Sequence, residues 1–422
     1  MTKPVINRSF PDKKALITSR GDITYSQLLR KIQQFADLFN GKDYTKVAIY
    51  AENSLEWIYG YYAALQNNCI AIPIDFLASV EDVAYILDDC TPDLLFISRS
   101  MEETYAKVAA KVVGKPELLV FEDVVVDGSV EESKWIGPEN DETTAVIIYT
   151  SGTTGSPKGV MLSYTNLKEN MEAVIDCGIF TSDRQVMIFL PLHHIFPLLG
   201  SMMVSFYVGT TVPMVPSMQS ADLMKTFASN QVGVFIGVPR LYELMYRGIK
   251  AKIDESKIAK FLLAFVMKTK SRKLGRIIFN KIHQGFGGQL QYMVAGGAAL
   301  NKEIGAFFYG IGFDIMEGYG MTEAAPMITF PRPGKIKIGS PGQALPGLKV
   351  EIRDGEIVAK GPSIMKGYYN RPEETAEVLV DGWLHTGDLG YIDKKGYLFI
   401  TGRKKEIIVL PNGKNINPVE IE

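Results

Sequence analysis

Residues 144–160 read TAVIIYTSGTTGSPKGV, an apolar β-branched run that gives way to Ser, Thr and Gly and closes with Pro-Lys-Gly. This pattern predicts a strand that leads into a phosphate-binding loop. Three glycines are expected to adopt positive φ and to let the backbone approach a ligand, namely Gly152, Gly155 and Gly159. The polar groups of the loop come from Thr150, Ser151, Thr153, Thr154, Ser156 and Lys158. A loop of this chemistry suits a polyphosphate.

Two other phosphate loops do not fit this spacing. A Walker loop places Lys directly after its second glycine, whereas Val160 follows Gly159. The Gly-rich loop of protein kinases does not fit either. An ordinary flexible surface loop is the remaining alternative. The length of the Ser/Thr/Gly run and its single Lys, directly after an apolar strand, favour phosphate binding.

Composition excludes several classes of protein. The chain has 422 residues, of which 46% are apolar and 22% charged, as is usual for a soluble globular protein of roughly two to three domains. A net charge of −2 does not produce a positive electrostatic field that would attract nucleic acid. Cys69, Cys90 and Cys177 are too far apart for a zinc motif or a disulfide framework, which indicates a reducing compartment. The N-terminus lacks an apolar signal segment, so a cytoplasmic location is expected.

Strand and helix patterns alternate along most of the chain, which predicts an α/β fold with mostly parallel sheets. Capping signals at Thr24-x-x-Gln27 and Asn53-x-x-Glu56 begin two helices, which end near Asn40 and Leu65. A third helix is predicted at 79–88, with strands at 47–50, 69–74, 94–97 and 118–121. A second α/β layer is predicted from helices at 167–175 and 221–229 and strands at 186–190 and 232–238.

Beyond Phe330 the sequence predicts short strands joined by tight turns at 353–356 and 393–396, hence a small β-barrel-like subdomain. The predicted organisation is an N-terminal domain of residues 1–403, divided into α/β subdomains 1–184 and 185–329 and a β subdomain 330–403. Residues 404–422 are predicted to form a hinge and the start of a C-terminal domain. Asn417-Pro418 signals a helix that the sequence does not continue, so the chain is expected to be cut there.

Two stretches allow alternative interpretations. Residues 185–221 contain no Asp, Glu, Lys or Arg, and the stretch is long enough to span a bilayer. Four prolines interrupt the stretch and favour buried core instead, with a helix at 196–207 and a strand at 211–215. Residues 240–283 are helical and basic around FLLAFVM at 261–267. The first interpretation is a solvated face whose apolar stripe packs on the core. The alternative is a peripheral contact of residues 247–281 with anionic lipid at the inner membrane face.

Five motifs together resemble the AMP-forming adenylating enzymes, which include acyl-CoA synthetases, luciferases and the adenylation domains of peptide synthetases. They are YTSGTTGSPKGV, LPLHHIFPLLG, AGGAAL at 295–300, EGYGMTE at 317–323 and WLHTGD at 383–388 with the following GRKKEII. AGGAAL alone is also typical of a simple turn. Three stretches together look most like bacterial long-chain fatty acid CoA ligases, namely VGVFIGVPRLYELM at 232–245, the basic helical segment after it and GRKKEIIVLPNGKNI at 402–416.

The resemblance implies ATP, Mg²⁺ and the substrate CoA, and it assigns roles to residues. Phosphate binding is assigned to Thr150, Ser151, Gly152, Thr153, Thr154, Gly155 and Lys158. Adenine binding is assigned to Gly296, Gly297, Ala298, Glu317, Gly318, Tyr319, Gly320 and Met321, and ribose binding to Asp388 and Arg403. The catalytic residues are Lys158, His194, Thr322 and Glu323, with Glu323 and Thr150 as Mg²⁺ ligands. The acyl pocket is assigned to His194, Gly237, Val238, Pro239, Gly297 and Gly320, and the hinge to Lys405.

Residue chemistry agrees with several of these roles. Tyr319 between glycines can stack on a purine, and Asp388 can accept both ribose hydroxyls. His193 and His194 are expected on an extended segment, where adjacent side chains point to opposite sides and do not share a metal.

The resemblance implies conversion of a fatty acid to acyl-AMP and pyrophosphate, followed by thioester formation with CoA. A ligase that acts on acyl-carrier protein and a ligase for aryl or medium-chain acids share these motifs. The family's C-terminal domain and its lysine are absent from the sequence, so reduced turnover is expected. The alternative class is a module that binds nucleotide or acyl adenylate with little catalysis. The sequence does not indicate an oligomeric state.

Overall fold

The structure is a computed structural model that describes residues 5–125, 130–135, 137–138, 140–150, 156–269, 271–404, 408–409 and 415–416. The chain divides into two compact units. Unit 1 comprises Met1–Lys168, Pro191–Val212 and Met365–Ala376, and unit 2 comprises Glu169–Leu190, Pro213–Ile364 and Glu377–Glu422. The domain boundaries predicted at residues 184, 329 and 403 stay a prediction.

The strands of the described residues begin and end as follows, in chain order: β1 (Lys14–Thr18), β2 (Gly21–Thr24), β3 (Lys46–Tyr50), β4 (Ile70–Ile74), β5 (Leu94–Ile97), β6 (Glu117–Val120), β7 (Thr144–Thr150), β8 (Lys158–Ser163), β9 (Gln185–Val186), β10 (Val212–Pro213), β11 (Val232–Gly237), β12 (Tyr292–Ala295), β13 (Asp314–Glu317), β14 (Tyr319–Gly320), β15 (Met327–Phe330), β16 (Gln343–Ala344), β17 (Lys349–Arg353), β18 (Glu356–Lys360), β19 (Gly367–Tyr368), β20 (Leu379–Val380), β21 (Trp383–Ile392), β22 (Leu398–Arg403), β23 (Ile408–Val409) and β24 (Asn415–Ile416).

The helices of the same residues are α1 (Tyr25–Ala36), α2 (Leu55–Gln66), α3 (Val80–Cys90), α4 (Glu102–Ala109), α5 (Tyr164–Ile175), α6 (Ile195–Pro197), α7 (Val204–Val208), α8 (Ser220–Ser229), α9 (Pro239–Asp254), α10 (Lys257–Thr269), α11 (Arg272–Ile278), α12 (Asn280–Gly285), α13 (Lys302–Gly310) and α14 (Pro372–Val378).

Unit 1 is built on a seven-stranded sheet with the strand order β19-β8-β7-β4-β3-β5-β6. β3 pairs in parallel with β4 and β5, β5 pairs in parallel with β6, and β4 with β7. β8 is antiparallel to β7, and β19 is antiparallel to β8. Val47, Ala48, Ile49 and Tyr50 of β3 are fully buried, as expected for a central parallel strand. The predicted α/β class is confirmed.

The two predicted capping signals have different outcomes. Thr24 caps α1, and the Gln27 side chain accepts the Thr24 amide in return, so the capping box is confirmed. The prediction that Asn53 begins the second helix is wrong, because Ser54 is the N-cap and accepts the Trp57 amide. The Asn53 side chain accepts the Leu192 amide at 2.8 Å instead. The Asn53 side chain, which the local pattern predicted as the cap, therefore makes a long-range hydrogen bond instead.

The uncharged stretch contains a buried helix, as predicted. α6 continues through a π-helical segment, Leu198–Met203, into α7, and every residue of that segment is buried. Among the described residues, no helix combines the length and apolar character needed to cross a bilayer. The flanking strands are shorter than predicted, since β9 ends at Val186 and only a single bridge joins Ile188 to Met214.

Unit 2 contains the predicted second α/β layer, a parallel sheet with the order β13-β12-β11-β9. The later strands form antiparallel sheets, one with the order β14-β15-β16 and one with the order β17-β18-β21-β20, in which β22 pairs with β21. Both predicted hairpins are present, with Arg353 opposite Glu356 and Ile392 opposite Leu398. Barrel-like closure stays a prediction.

The described residues of the basic segment form helices α9 to α12. The predicted inward stripe of α10 is present, since Val266 is buried and Leu262, Leu263 and Met267 are half-buried. A second apolar row was not predicted. Ile258, Phe261 and Phe265 are 73%, 72% and 45% exposed.

Candidate active site

The predicted phosphate loop connects two antiparallel strands. Thr150 at the end of β7 lies opposite Lys158 at the start of β8, and the Thr150 hydroxyl donates to the Lys158 carbonyl at 3.5 Å. The intervening site residues lie outside the described part of the chain, namely Ser151, Gly152, Thr153, Thr154 and Gly155. Strand β8, which directly precedes helix α5, was not predicted from the sequence. A Walker loop opens a helix, so this hairpin is a different kind of loop.

Lys158 and Gly159 have distinct local environments. The Lys158 ammonium lies 5.3 Å from the centroid of the Tyr368 ring. Positive φ was expected at Gly159, but this residue does not adopt it. A Cβ atom there would lie 2.8 Å from Ile147 Cγ2 and 3.0 Å from the Tyr149 ring, so close packing across β7 requires glycine.

The prediction that the side chains of His193 and His194 point to opposite sides is wrong. His193 and His194 occupy a turn in which the His194 amide donates to the Pro191 carbonyl at 3.3 Å. Their ring centroids are 4.2 Å apart, and their Nε2 atoms are 3.2 Å apart. The turn breaks the alternation of an extended strand and brings both rings to one side. Burial and the neighbouring His194 lower the pKa of His193 to about 4, although Asp75 opposes the shift.

In unit 2, neighbouring parallel strands bring several predicted residues together at their carboxyl ends. Gly237 of β11 lies opposite Ala295 of β12, which lies opposite Glu317 of β13. The Gly296 amide donates to the Gly237 carbonyl at 3.3 Å, and the Gly318 amide to the Ala295 carbonyl at 2.8 Å. Open α/β sheets bind ligands at this edge. The predicted adenine loop therefore lies next to the Gly237–Val238 turn predicted to border the acyl chain.

A hydrogen bond connects the AGGAAL loop to Glu317. The Glu317 carboxylate accepts the Leu300 amide at 3.1 Å. Burial raises the pKa of Glu317, although the Leu300 amide and Lys302 oppose the shift. Gly297 and Ala298 are exposed. Val238 precedes α9, and Pro239 is its first residue, where a missing amide hydrogen is tolerated.

Three residues predicted to bind a nucleoside form one network. The Tyr319 hydroxyl donates to Asp388 Oδ2 at 2.8 Å, and Arg403 Nε lies 3.1 Å from Asp388 Oδ1. Asp388 and Arg403 are direct partners on β21 and β22. Burial and the Asp388 charge raise the pKa of Tyr319, so its hydroxyl stays a donor. The predicted purine-stacking ring is thus fixed to the predicted ribose carboxylate.

The loop that carries Thr322 and Glu323 is held by a residue that no sequence motif identifies, Asn170. Met321, Thr322 and Glu323 follow β14, and Glu323 is 8% exposed. The Asn170 amide group donates to the carbonyls of Ala324 at 3.1 Å and Met327 at 2.8 Å, and its oxygen accepts the Met327 amide at 3.3 Å. Asn170 is far away in sequence and carries no motif, so no local signal could have identified it.

Gly320 is required by packing. A Cβ atom at Gly320 would collide with the Pro326 carbonyl across the β14–β15 pair. Glycine at this position therefore has a structural reason besides any approach of a ligand.

A second missed residue, Glu356, organises the chain around Asp388. Its carboxylate accepts the Gly387 amide at 2.9 Å and lies 3.2 Å from His385 Nδ1 and 3.1 Å from Lys404 Nζ. Burial opposes ionisation, but these three partners together lower the pKa of Glu356. Its position in the hairpin turn was recognised, but its partners were not. The predicted hinge residue, Lys405, lies outside the described residues.

The structure thus places Thr150, Lys158 and His194 in unit 1 and the other described site residues in unit 2.

Comparison with known proteins identifies one family. The profile of the AMP-binding enzymes matches residues 5–369. The long-chain-fatty-acid–CoA ligase FadD15 of Mycobacterium bovis is 29% identical over 413 residues, which cover 89% of this chain and 68% of the ligase. The feruloyl-CoA synthase of an Amycolatopsis species is 28% identical, with 95% of this chain and 77% of the synthase covered.

A solved structure supports the fold. The crystal structure of ATP-bound MatB from Rhodopseudomonas palustris matches with a TM-score of 0.81 and 26% identity, and it covers 100% of this chain and 82% of MatB. The relatives act on different acids, as their names state. The similarity therefore indicates the type of reaction but does not identify the acid.

Proposed function

The chain belongs to the AMP-binding enzyme family, and on that premise we propose that it activates a fatty acid with ATP and transfers the acyl group to CoA. In the first step a carboxylate oxygen attacks the α-phosphorus of ATP and pyrophosphate leaves, which gives acyl-AMP. In the second step the CoA sulfur attacks the acyl carbonyl carbon and AMP leaves with the bonding electrons. The thiol proton passes to solvent, and a thioester remains.

The observation that carries the nucleotide part of the proposal is the Tyr319–Asp388–Arg403 network. A hydrogen bond of 2.8 Å fixes the Tyr319 ring relative to the Asp388 carboxylate. In this proposal the ring stacks on adenine, and the carboxylate accepts hydrogen bonds from the ribose hydroxyls. Arg403 at 3.1 Å balances the carboxylate charge. The Gly296–Ala298 loop and Glu317 border the adenine in this proposal.

The phosphates are assigned to Lys158 and Thr322, and the cation to Glu323. A carboxylate supplies the oxygen ligand that Mg²⁺ prefers, so Glu323 fits this role. When bound, Mg²⁺ would neutralise charge on the phosphates. Lys158 would meet the same negative charge, an electrostatic contribution that is typically worth several kcal/mol in an enzyme site. Thr150 as a further ligand stays a prediction.

Two observations support a fatty acid as the substrate. The end of β11 is apolar, and one relative, FadD15, is named as a long-chain-fatty-acid–CoA ligase. Val232–Gly237 is buried throughout, and no charged side chain occurs in 235–239 to bind a polar acid. His194 is assigned a place beside the reacting carboxylate. Aryl or medium-chain acids are the second candidate, supported by the feruloyl-CoA synthase relative.

Membrane contact is proposed for the exposed row of α10. Ile258, Phe261 and Phe265 lie on one side of the helix among exposed lysines, including Lys257, Lys260 and Lys268. An amphipathic helix with lysines beside exposed aromatic residues suits an anionic bilayer surface. The substrate proposed here would be taken from that surface.

Mass spectrometry of the products tests the function. Acyl-AMP is measured with Mg·ATP and a series of fatty acids, then acyl-CoA after addition of CoA, with an aryl acid and acyl-carrier protein as competing substrates. Asp388→Asn serves as the matched negative variant. Acyl-AMP from fatty acids supports the proposal, and product from the aryl acid alone favours the second candidate. Binding of an ATP analogue without acyl-AMP from any acid would identify a binding module and overturn the proposal.

A further inference from the structure

Three potential metal ligands converge in unit 1, at a place where the sequence predicted none. Asp75 follows β4, and His193 and His194 lie in the turn before α6. His193 Nε2 is 3.2 Å from His194 Nε2 and 3.3 Å from Asp75 Oδ1. One ligand atom from each of the three residues lies within 4.8 Å of the other two.

From this geometry we infer that Asp75, His193 and His194 form a binding site for a divalent transition-metal ion of the zinc class. Zinc binds imidazole nitrogen and carboxylate oxygen at about 2.0–2.2 Å, and tetrahedral angles then separate neighbouring ligand atoms by about 3.3–3.5 Å. Two separations in the cluster, 3.2 and 3.3 Å, are already close to that spacing. The fourth position is left to water.

The hydrogen-bond chemistry of the cluster favours a cation over the bare side chains. Neutral imidazole carries one N–H, and an ionised carboxylate carries none. His193 Nε2 makes two contacts at once, one with Asp75 Oδ1 and one with His194 Nε2, where the tautomers decide which nitrogen donates. A single hydrogen can serve only one of them well, whereas one metal ion would bind the lone pairs of all three.

The ligands are held in place by surrounding contacts. The His193 side chain is 4% exposed, and its ring packs against Phe76 with centroids 5.7 Å apart. The turn is anchored by Asn53, whose side chain accepts the Leu192 amide. Asp75 is fixed by the Leu77 amide, which donates to Oδ1 at 2.8 Å. The Asp75 side chain is 40% exposed, so an ion can reach the cluster from solvent.

The probe is Zn²⁺ alone, titrated calorimetrically into tag-free, chelator-stripped protein without nucleotide, with stoichiometry from native mass spectrometry. The variants are Asp75→Asn, His193→Gln and His194→Gln. The matched control is His385→Gln, because His385 also lies 3.2 Å from a carboxylate, that of Glu356, but the described residues give it no second imidazole. The cysteines do not compete in the folded chain, since all three are buried.

We expect one zinc ion per chain for the wild type and the control. Each cluster variant should bind at least about tenfold more weakly, since even outer contacts of metal sites cost that much. Zinc should also raise the melting temperature of the wild type but not of Asp75→Asn, which is expected to fold because Asp75 is partly exposed. Circular dichroism verifies folding of both histidine variants. Failure of the wild type to bind zinc, or equal binding by Asp75→Asn and the control, would overturn the proposal.

Discussion

Lys158 is expected to act on the substrate and to contribute little to folding. Its described contact is a cation–π interaction with Tyr368 at 5.3 Å, of a kind worth about 0.5–1 kcal/mol at an exposed site. Lys158→Ala should therefore leave the melting temperature nearly unchanged. Loss of a donor to the developing charge should lower the rate of acyl-AMP formation by about 10²–10³.

Lys46 provides a matched control for this variant. Its ammonium lies 5.9 Å from the ring of Tyr369, the next tyrosine along the chain, and it has no assigned role in the reaction. Lys46→Ala should keep the rate of acyl-AMP formation. A large loss of melting temperature in Lys158→Ala with its rate intact would contradict the assignment.

His283 makes stability depend on pH. Burial lowers its pKa below the ordinary 6.5, aided by Arg276, while the Ile311 carbonyl opposes the shift. Nε2 lies 2.9 Å from that carbonyl, and Nδ1 is buried with no hydrogen-bond partner among the described residues. The folded chain therefore holds a neutral ring, whereas the unfolded chain is protonated below about pH 6.5. Stability from this group is complete above the unfolded pKa and falls with decreasing pH.

This loss is measured by urea unfolding between pH 7.5 and 5.5. For one proton, the free energy of unfolding should change with pH by up to about 1.4 kcal/mol per pH unit. His283→Gln should remove this contribution to the pH dependence. His385→Gln controls for loss of an imidazole elsewhere. Parallel pH profiles for the wild type and His283→Gln would show that the ring does not cause the dependence.

At the scale of elements, Asn170 connects helix α5 to the loop after β14. Asn170→Leu keeps the volume but removes three hydrogen bonds to Ala324 and Met327. Each buried backbone group left unpaired costs about 1–3 kcal/mol, so stability should fall and the loop should loosen. We expect weaker binding of Mg·ATP, because Thr322 and Glu323 lie on that loop.

Asn166→Leu is the matched variant for this test. Asn166 is a buried asparagine of the same helix, but its side chain accepts the Ser163 amide. It should lose stability with little change in the affinity for Mg·ATP. Equal losses of that affinity in both variants would remove the special role of Asn170.

Helix α10 should decide membrane binding. Phe261→Asp places a charge in the exposed row, so sedimentation with anionic vesicles should decrease, and wild-type binding should weaken as salt rises. Val113→Asp is the control, since Val113 is also an exposed apolar residue and is 92% exposed. Wild-type binding that is equal on neutral and anionic vesicles would argue for an ordinary solvated face.

For the whole molecule, the features that could be predicted are those formed by residues close together in sequence. Buried strands such as β3 and hairpin turns such as 353–356 appear as apolar runs and turn residues over a few positions. The Asn170 clamp and the three partners of Glu356 join residues that are far apart in sequence, so no periodicity marks them. The facing histidines were missed because one turn reverses the alternation that the prediction assumed.

Binding of nucleotide should stabilise the chain by mass action. A ligand at about a hundred times its dissociation constant adds about 2.7 kcal/mol, so ATP should raise the melting temperature in a concentration-dependent way. Tyr319→Phe keeps the ring but removes the bond to the buried Asp388 carboxylate. A hydrogen bond to a charged group is worth about 1.5–3 kcal/mol, so the ATP concentration needed for a given shift should rise at least about tenfold. Tyr391→Phe is the control, since Tyr391 is exposed and stacks on Phe399. If Tyr319→Phe and Tyr391→Phe require the same ATP concentration as the wild type, Asp388 does not depend on Tyr319 to hold the ribose.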